Sequence, residues 1–164
     1  MFRSGSRKAF SLVEVVVVLA LVGILGAVST LCFNRMSRQA EGEREIRDLQ
    51  ATLFSARLMS VQQRRRHGVR FEGSRYAFLR YSSEDEPEAG GEVLALHPLA
   101  LPVADGGGES LEGVAVAFDT RGLSRLGRTI RLADENASDG TDCIAVSWGR
   151  VNAGKMKGES CVAK

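Results

Sequence analysis

The chain opens on an apolar block in which no polar side chain occurs between Val15 and Val28. Extended from Phe10 to Phe33 the block has 24 residues and a single charge, Glu14. At a rise of 1.5 Å per residue this is about 36 Å of helix, enough to cross a hydrocarbon core of about 30 Å. Beyond it the period stays helical. Ile46, Leu49, Leu53, Ala56 and Ser60 recur at three- and four-residue spacing, flanked by Phe54, Leu58 and Val61, with Arg44, Glu45, Arg47, Asp48 and Arg57 mostly between them. No proline precedes Pro87, so nothing forces a break, although Gly42 permits a bend. After Gly68 the pattern turns to strands: 69–72 and 76–81 around a Gly73-Ser74-Arg75 turn, then 93–101, 114–118, 129–132 and 143–148. Turn-rich stretches at 82–91, 105–108 and 134–142 separate them. A long helix followed by antiparallel strands predicts an α+β fold.

Composition adds little until it is divided along the chain. The 164 residues, 44% hydrophobic and 26% charged with net charge +2, suit one modest domain and exclude disorder or binding of nucleic acid by sheer basicity. The charge is not evenly placed. Residues 1–9 carry Arg3, Arg7 and Lys8 and no acid, which favours a cytoplasmic N-terminus. An ordinary secretory signal has the same basic start, and Ala27-Val28-Ser29 could serve as its cleavage site. The apolar run is longer than such a signal needs, however, and Glu14 would cost about 2.5–3.5 kcal/mol if placed centrally in a bilayer. A carboxylate there needs a partner, and the segment offers no Lys, Arg or His. A new α-amino group created just before Phe10 would supply one.

Arg7-Lys8-Ala9-Phe10-Ser11-Leu12-Val13-Glu14-Val15 resembles the class III leader of type IV pilins and type II secretion pseudopilins. The resemblance implies cleavage between Ala9 and Phe10 by a prepilin peptidase and N-methylation of Phe10. Ala9 stands where the family usually has Gly. Glu14 falls at the fifth mature position, where the family carries its signature carboxylate, implying a pair with the amino terminus of a neighbouring subunit. Such a pair acts as a register device. Further on, Phe118-Asp119-Thr120-Arg121-Gly122 before Thr129-Ile130-Arg131-Leu132 resembles the F-D-x-R-G hairpin of the GspH/FimT group, and 144–151 resembles that group's last strand pair, joined by a Gly-Arg turn. Some members have a second Arg associated with DNA binding; Asn152 occupies that place here.

The resemblance implies a pilin-like α+β subunit with a leader (1–9), a transmembrane helix half (10–33), an amphipathic extracytoplasmic half (34–66) and a β-rich periplasmic domain (67–164). It implies a minor pseudopilin of the type II secretion pseudopilus, or else a type IV minor pilin of the FimT kind engaged in pilus assembly or DNA uptake. Its partners would be other pseudopilins or minor pilins, the prepilin peptidase and an inner-membrane assembly platform.

Cys143 and Cys161 can pair in an oxidising periplasm, whereas Cys32 falls in the membrane segment. Arg64, Arg65 and Arg66 with His67 form the sharpest basic cluster, suited to phosphates, to an acidic neighbour, or simply to a solvated helix end. Arg150 is a further candidate contact, beside a Trp148 expected to be half-buried. Asp134, Asp139 and Asp142 lack EF-hand spacing, so no metal site is expected. No cofactor motif occurs, and neither His67 nor His97 has a nucleophile motif nearby, so the chain is expected not to be an enzyme.

Overall fold

Uninterrupted helical periodicity without proline produces one 52-residue helix, α1 (Leu12–Gln63). The computed structural model describes residues 11–134 and 140–163. The chain forms two compact units, Met1–Ser37 and Arg38–Lys164.

In the first unit the side chains of α1 from Leu12 to Leu25 are exposed all round, 47% of Val15 and 80% of Leu12 being accessible. Among the described residues this is the one helix long and apolar enough to cross a membrane. A helix apolar on every side needs a cover, and one with no protein packed against it suits a membrane span. Its hydroxyl at Ser29 is satisfied within the helix by donating to the Leu25 carbonyl at 2.8 Å, so it adds no unpaired polar group.

In the second unit Ile46, Leu49, Leu53, Ala56 and Ser60 are all fully buried, the inward stripe that the spacing predicted. Phe54, Leu58 and Val61 point away and remain about half exposed. The stripe packs on two antiparallel sheets. The first comprises β1 (His67–Glu72), β2 (Arg75–Arg80), β3 (Glu92–Pro98) and β5 (Ala115–Phe118) in the order β3-β2-β1-β5. The second comprises β4 (Val103–Asp105), β6 (Arg128–Leu132), β7 (Cys143–Ser147), β8 (Arg150–Lys157) and β9 (Ser160–Ala163) in the order β4-β6-β7-β8-β9. Val69, Phe71, Val116 and Phe118 of the first sheet and Ile130, Ile144, Val146 and Val151 of the second share one core with the helix.

Three details differ from the sequence reading. The Phe118–Gly122 motif does not join a hairpin within one sheet: β5 pairs with β1, and the next strand, β6, pairs with β4 and β7. The motif instead carries the chain from one sheet to the other. Two strands were not expected: β4, three residues long, lies just after Pro102, and β9 follows the Gly158-Glu159 turn. Both are too short to show an alternation, and pairing alone defines them. The stretch 82–91 is not a free loop either. It covers a second small cluster, Ala77, Leu79, Tyr81 and Ala117, on the face of the first sheet away from α1.

Candidate functional site

Glu14 lies exposed in the first turn of α1, where a carboxylate complements the positive end of the helix dipole. Ala9 and Phe10 lie outside the described residues. The structure therefore gives the helical setting of Glu14 and leaves the cleavage junction undescribed.

The basic cluster at the end of α1 is divided by the fold. The Arg65 amide donates to the Ser60 carbonyl at 3.3 Å, and Arg64 adopts φ 48°, the left-handed conformation that ends many helices. Arg64 and Arg65 stay exposed, but the turn sends Arg66 and His67 inward as β1 begins. Arg66 was expected to be available for phosphate or partner contact. It is 8% exposed, its guanidinium 4.3 Å above the Tyr81 ring. Its Nη1 donates to the Glu86 and Glu84 carbonyls, and Nη2 lies 3.6 Å from Glu88. A guanidinium is tolerated here because an aromatic face, two carbonyls and a carboxylate replace water. Arg66 is thus an internal clamp on the 82–91 loop.

The same loop is capped from within. The Glu86 carboxylate accepts the Ser82 and Gly91 amides at 2.6 and 2.7 Å, and those bonds hold its pKa below the usual carboxylate value. Burial pushes the Tyr81 phenol up, and its hydroxyl donates to the Glu88 carbonyl at 2.9 Å. No local motif in the sequence announces this arrangement, since Arg66 and its acceptors are 18 and 20 residues apart.

His67 is fully buried. Its amide donates to Ser60 Oγ at 3.1 Å, and Nδ1 lies 2.9 Å from the Arg65 carbonyl, while Nε2 has no partner. Burial is the main cause lowering its pKa, reinforced by the Arg80 and Arg65 charges and opposed by the Arg65 carbonyl. The imidazole is accordingly a neutral core group.

The Phe118–Gly122 turn is fastened to the last turns of α1. Asp119 Oδ1 accepts the amides of Arg121 and Leu123 at 2.9 and 2.8 Å. Arg57 Nε donates to the Gly122 carbonyl at 3.0 Å, and Ser60 Oγ lies 3.2 Å from the Phe118 carbonyl. Gly122 has φ 75°, and a Cβ there would come within 2.8 Å of Val61. Both the backbone conformation and the space require glycine. Here the Asp and Gly of the motif, with Arg57 of α1, act as a structural latch.

Next to this latch, Trp148 occupies the turn between β7 and β8, and its carbonyl accepts the Ser124 amide at 2.9 Å. The expected half-buried strand aromatic is instead 70% exposed. Its position in a tight turn, outside the alternation of either strand, explains the difference. Arg121, Arg125 and Arg150 are exposed as well. Arg150 starts β8 in the second sheet, whereas Arg66 immediately precedes β1 in the first.

Cys143 of β7 and Cys161 of β9 form a disulfide with S–S 2.09 Å, and Cys32 is free. Of the acidic loop, Asp142 Oδ1 accepts the Met156 amide at 2.7 Å and Asp134 is exposed. Asp139 lies outside the described residues. Among the described residues no group of three or more His, Cys, Asp or Glu is arranged to hold a metal ion.

Comparison with protein families matches residues 5–30 to the prokaryotic N-terminal methylation motif. No curated protein and no solved structure matches the chain. The motif marks the N-terminus as a prepilin-type leader and helix, the signature of type IV pilin- and pseudopilin-like proteins. Joined to the fold, it describes an α+β pilin-like architecture with an apolar helix suited to membrane anchoring.

Proposed function

We propose that the chain is a minor pseudopilin of the GspH/FimT type, cleaved between Ala9 and Phe10 and N-methylated on Phe10. Inserted through its apolar helix in the inner membrane, with the β-rich domain in the periplasm, it joins other pseudopilins in a type II secretion filament. The observation that carries the reading is the methylation motif over residues 5–30, which contains the Ala9-Phe10 junction and Glu14. Within the bilayer the Glu14 carboxylate pairs with the α-amino group of Phe10 in a neighbouring subunit, so that two charges costly in lipid satisfy each other. This makes Glu14 an assembly group, and the chain a substrate of the prepilin peptidase and a passenger of the inner-membrane assembly platform.

Intact-mass measurement of the protein from membranes tests the processing. The expected species begins at methylated Phe10; a chain that keeps Met1 would falsify it. Glu14→Ala is expected to leave membrane insertion unchanged and abolish co-isolation with filament subunits.

The exposed Trp148, two residues from the exposed Arg150, supports a second reading, a type IV minor pilin that takes up DNA, since an aromatic face and an arginine suit stacked bases and phosphates. Titration of single-stranded DNA with the full chain in detergent separates the two. Salt-dependent binding lost in Trp148→Ala and Arg150→Ala favours the pilin, and no binding at low salt favours the pseudopilin.

A further inference from the structure

The β7–β8 hairpin turns at Trp148 and Gly149, and the segment that leaves the Phe118–Gly122 latch runs against this turn. The Ser124 amide donates to the Trp148 carbonyl, and Ser124 Oγ donates to the Leu126 carbonyl at 3.0 Å. Arg128 of β6 lies opposite Val146 of β7, so the same register carried two residues further sets Leu126 opposite Trp148. Leu126 is 50% exposed and Trp148, the one tryptophan of the chain, still more so. Val61 of α1, about half exposed, touches the latch at Gly122. A tight turn asks for small or polar residues, and nothing in the formation of this one calls for an indole.

The surroundings are basic. Arg121 and Arg125 lie on the latch and the segment after it, and Arg150 follows the hairpin turn; all three are exposed. The exposed Arg64 and Arg65 leave α1 alongside, since Ser60, whose carbonyl accepts the Arg65 amide, lies against the Phe118 carbonyl. Nearby acids answer this charge only in part. Asp119 accepts amides of its own turn. Glu84, next to the exposed Asp85, accepts the Thr120 amide and lies 4.0 Å from Arg125, whose side chain stays 68% exposed. An exposed pair at that distance contributes little. Among the described residues Arg64, Arg65, Arg121 and Arg150 have no carboxylate within 4.0 Å.

We propose that Trp148 and Leu126 anchor a contact with a different polypeptide, a neighbouring subunit that offers an apolar recess bordered by carboxylates. The contact rests on the subunit reading above and gives the chemistry of the neighbour. A tryptophan with an aliphatic companion, rimmed by arginines, has the composition of a protein interface centre. Arginine forks pair with carboxylates in two parallel bonds, which fixes register as well as attraction. A second copy of this chain is a poorer match. Its densest acidic stretch, 84–92, already engages Glu86 with the Ser82 and Gly91 amides, Glu88 with Arg66 and Glu92 with Arg80. Nucleic acid also fits less well, because stacking platforms present successive aromatics, whereas Trp148 stands among aliphatic neighbours.

Photo-cross-linking of the full chain in the cells that make it tests the contact, with p-benzoylphenylalanine placed at position 126. The expected adduct joins the chain to a different polypeptide, at a segment that mass spectrometry maps beside Asp or Glu residues. Trp148→Ala should cut the adduct by at least about tenfold, as should Arg121→Glu combined with Arg150→Glu, with the unfolding midpoint unchanged in both. Changing the mapped carboxylates to lysine should restore the adduct in the doubly reversed chain.

An adduct with nucleic acid overturns the proposal in favour of DNA uptake, and one of twice the chain's mass overturns it in favour of self-association. A protein adduct that maps away from carboxylates, or that survives the arginine reversals, overturns it too. A chain processed to Phe10 that gives no adduct overturns this contact and leaves the subunit reading standing; a chain that keeps Met1 and gives none overturns both.

Discussion

Arg66 and Arg65 are neighbours of identical chemistry with opposite fates, and the difference is a single left-handed residue between helix and strand. Arg66→Ala removes the stacking on Tyr81 and two charge-assisted bonds to the 82–91 loop. The expected loss is about 2–3 kcal/mol in thermal unfolding, with faster proteolysis between residues 82 and 91. Arg66→Lys should recover only part, because an ammonium lacks the planar fork. Arg65→Ala should change stability by less than about 0.5 kcal/mol. His67 makes a second residue-scale prediction. Its folded pKa lies below the unfolded value of 6.5, so as pH falls the unfolded chain takes up the proton first. Its contribution is therefore complete above about pH 6.5 and lost below it, with a slope of at most about 1.4 kcal/mol per pH unit. Urea titrations at about pH 7.5 and 5.5 should show the decline in the native chain and little of it in His67→Gln. The difference between the two proteins isolates the imidazole from Glu45, whose carboxyl is raised by burial and acts in the opposite sense nearer its own range.

At the scale of elements, α1 shows how far a sequence pattern carries. Leu53 and Phe54 are adjacent and both apolar, yet only Leu53 belongs to the stripe at three- and four-residue spacing, and only Leu53 is fully buried. Leu53→Ala should cost about 2–5 kcal/mol, whereas Phe54→Ala should leave the unfolding midpoint nearly unchanged. The far edge of the second sheet was much less legible. Cys143 and Cys161 lie on β7 and β9 with β8 between them, but their Cα atoms are only 5.9 Å apart. Two strands flanking a third in a flat sheet stand about 9.5 Å apart, so β9 curls over β8. Gly154 makes this curl possible: it sits opposite Cys143 on one side and Ala163 on the other, and a Cβ there would run into the Val162 carbonyl. Gly154→Ala is expected to destabilise the domain by about 1–3 kcal/mol and to lower the oxidised fraction in a thiol-labelling assay. Reduction, or Cys161→Ser, should cost about 3 kcal/mol on the chain-entropy model without abolishing the fold, since the core shared by α1 and the sheets includes neither cysteine.

At the scale of the whole molecule, the two units answer to different solvents. All members of the main core lie between Ile46 and Val151, inside the second unit. Deleting residues 1–37 should therefore give a water-soluble domain whose cooperative unfolding, followed by circular dichroism, matches that of the full chain in detergent. The full chain, by contrast, should resist extraction from membranes at alkaline pH, because its exposed apolar helix has no protein surface to cover it. Loss of residues 1–9 also removes three basic and no acidic residues, taking the net charge from +2 to −1. The slight basicity of the whole sequence thus resides in its leader.

The leader motif, the apolar run, the buried stripe of α1 and most strands could be read from the sequence by itself, because each depends on local spacing or on a period of side chains along one element. The placement of Arg66 over Tyr81, the exposure of Trp148 and the curl of β9 at Gly154 were decided only by tertiary structure. In each of these the partner comes from another strand or loop, and the energy lies in surfaces that meet across the fold. Spacing along a chain registers which residues share a face; it carries no record of what that face will be packed against.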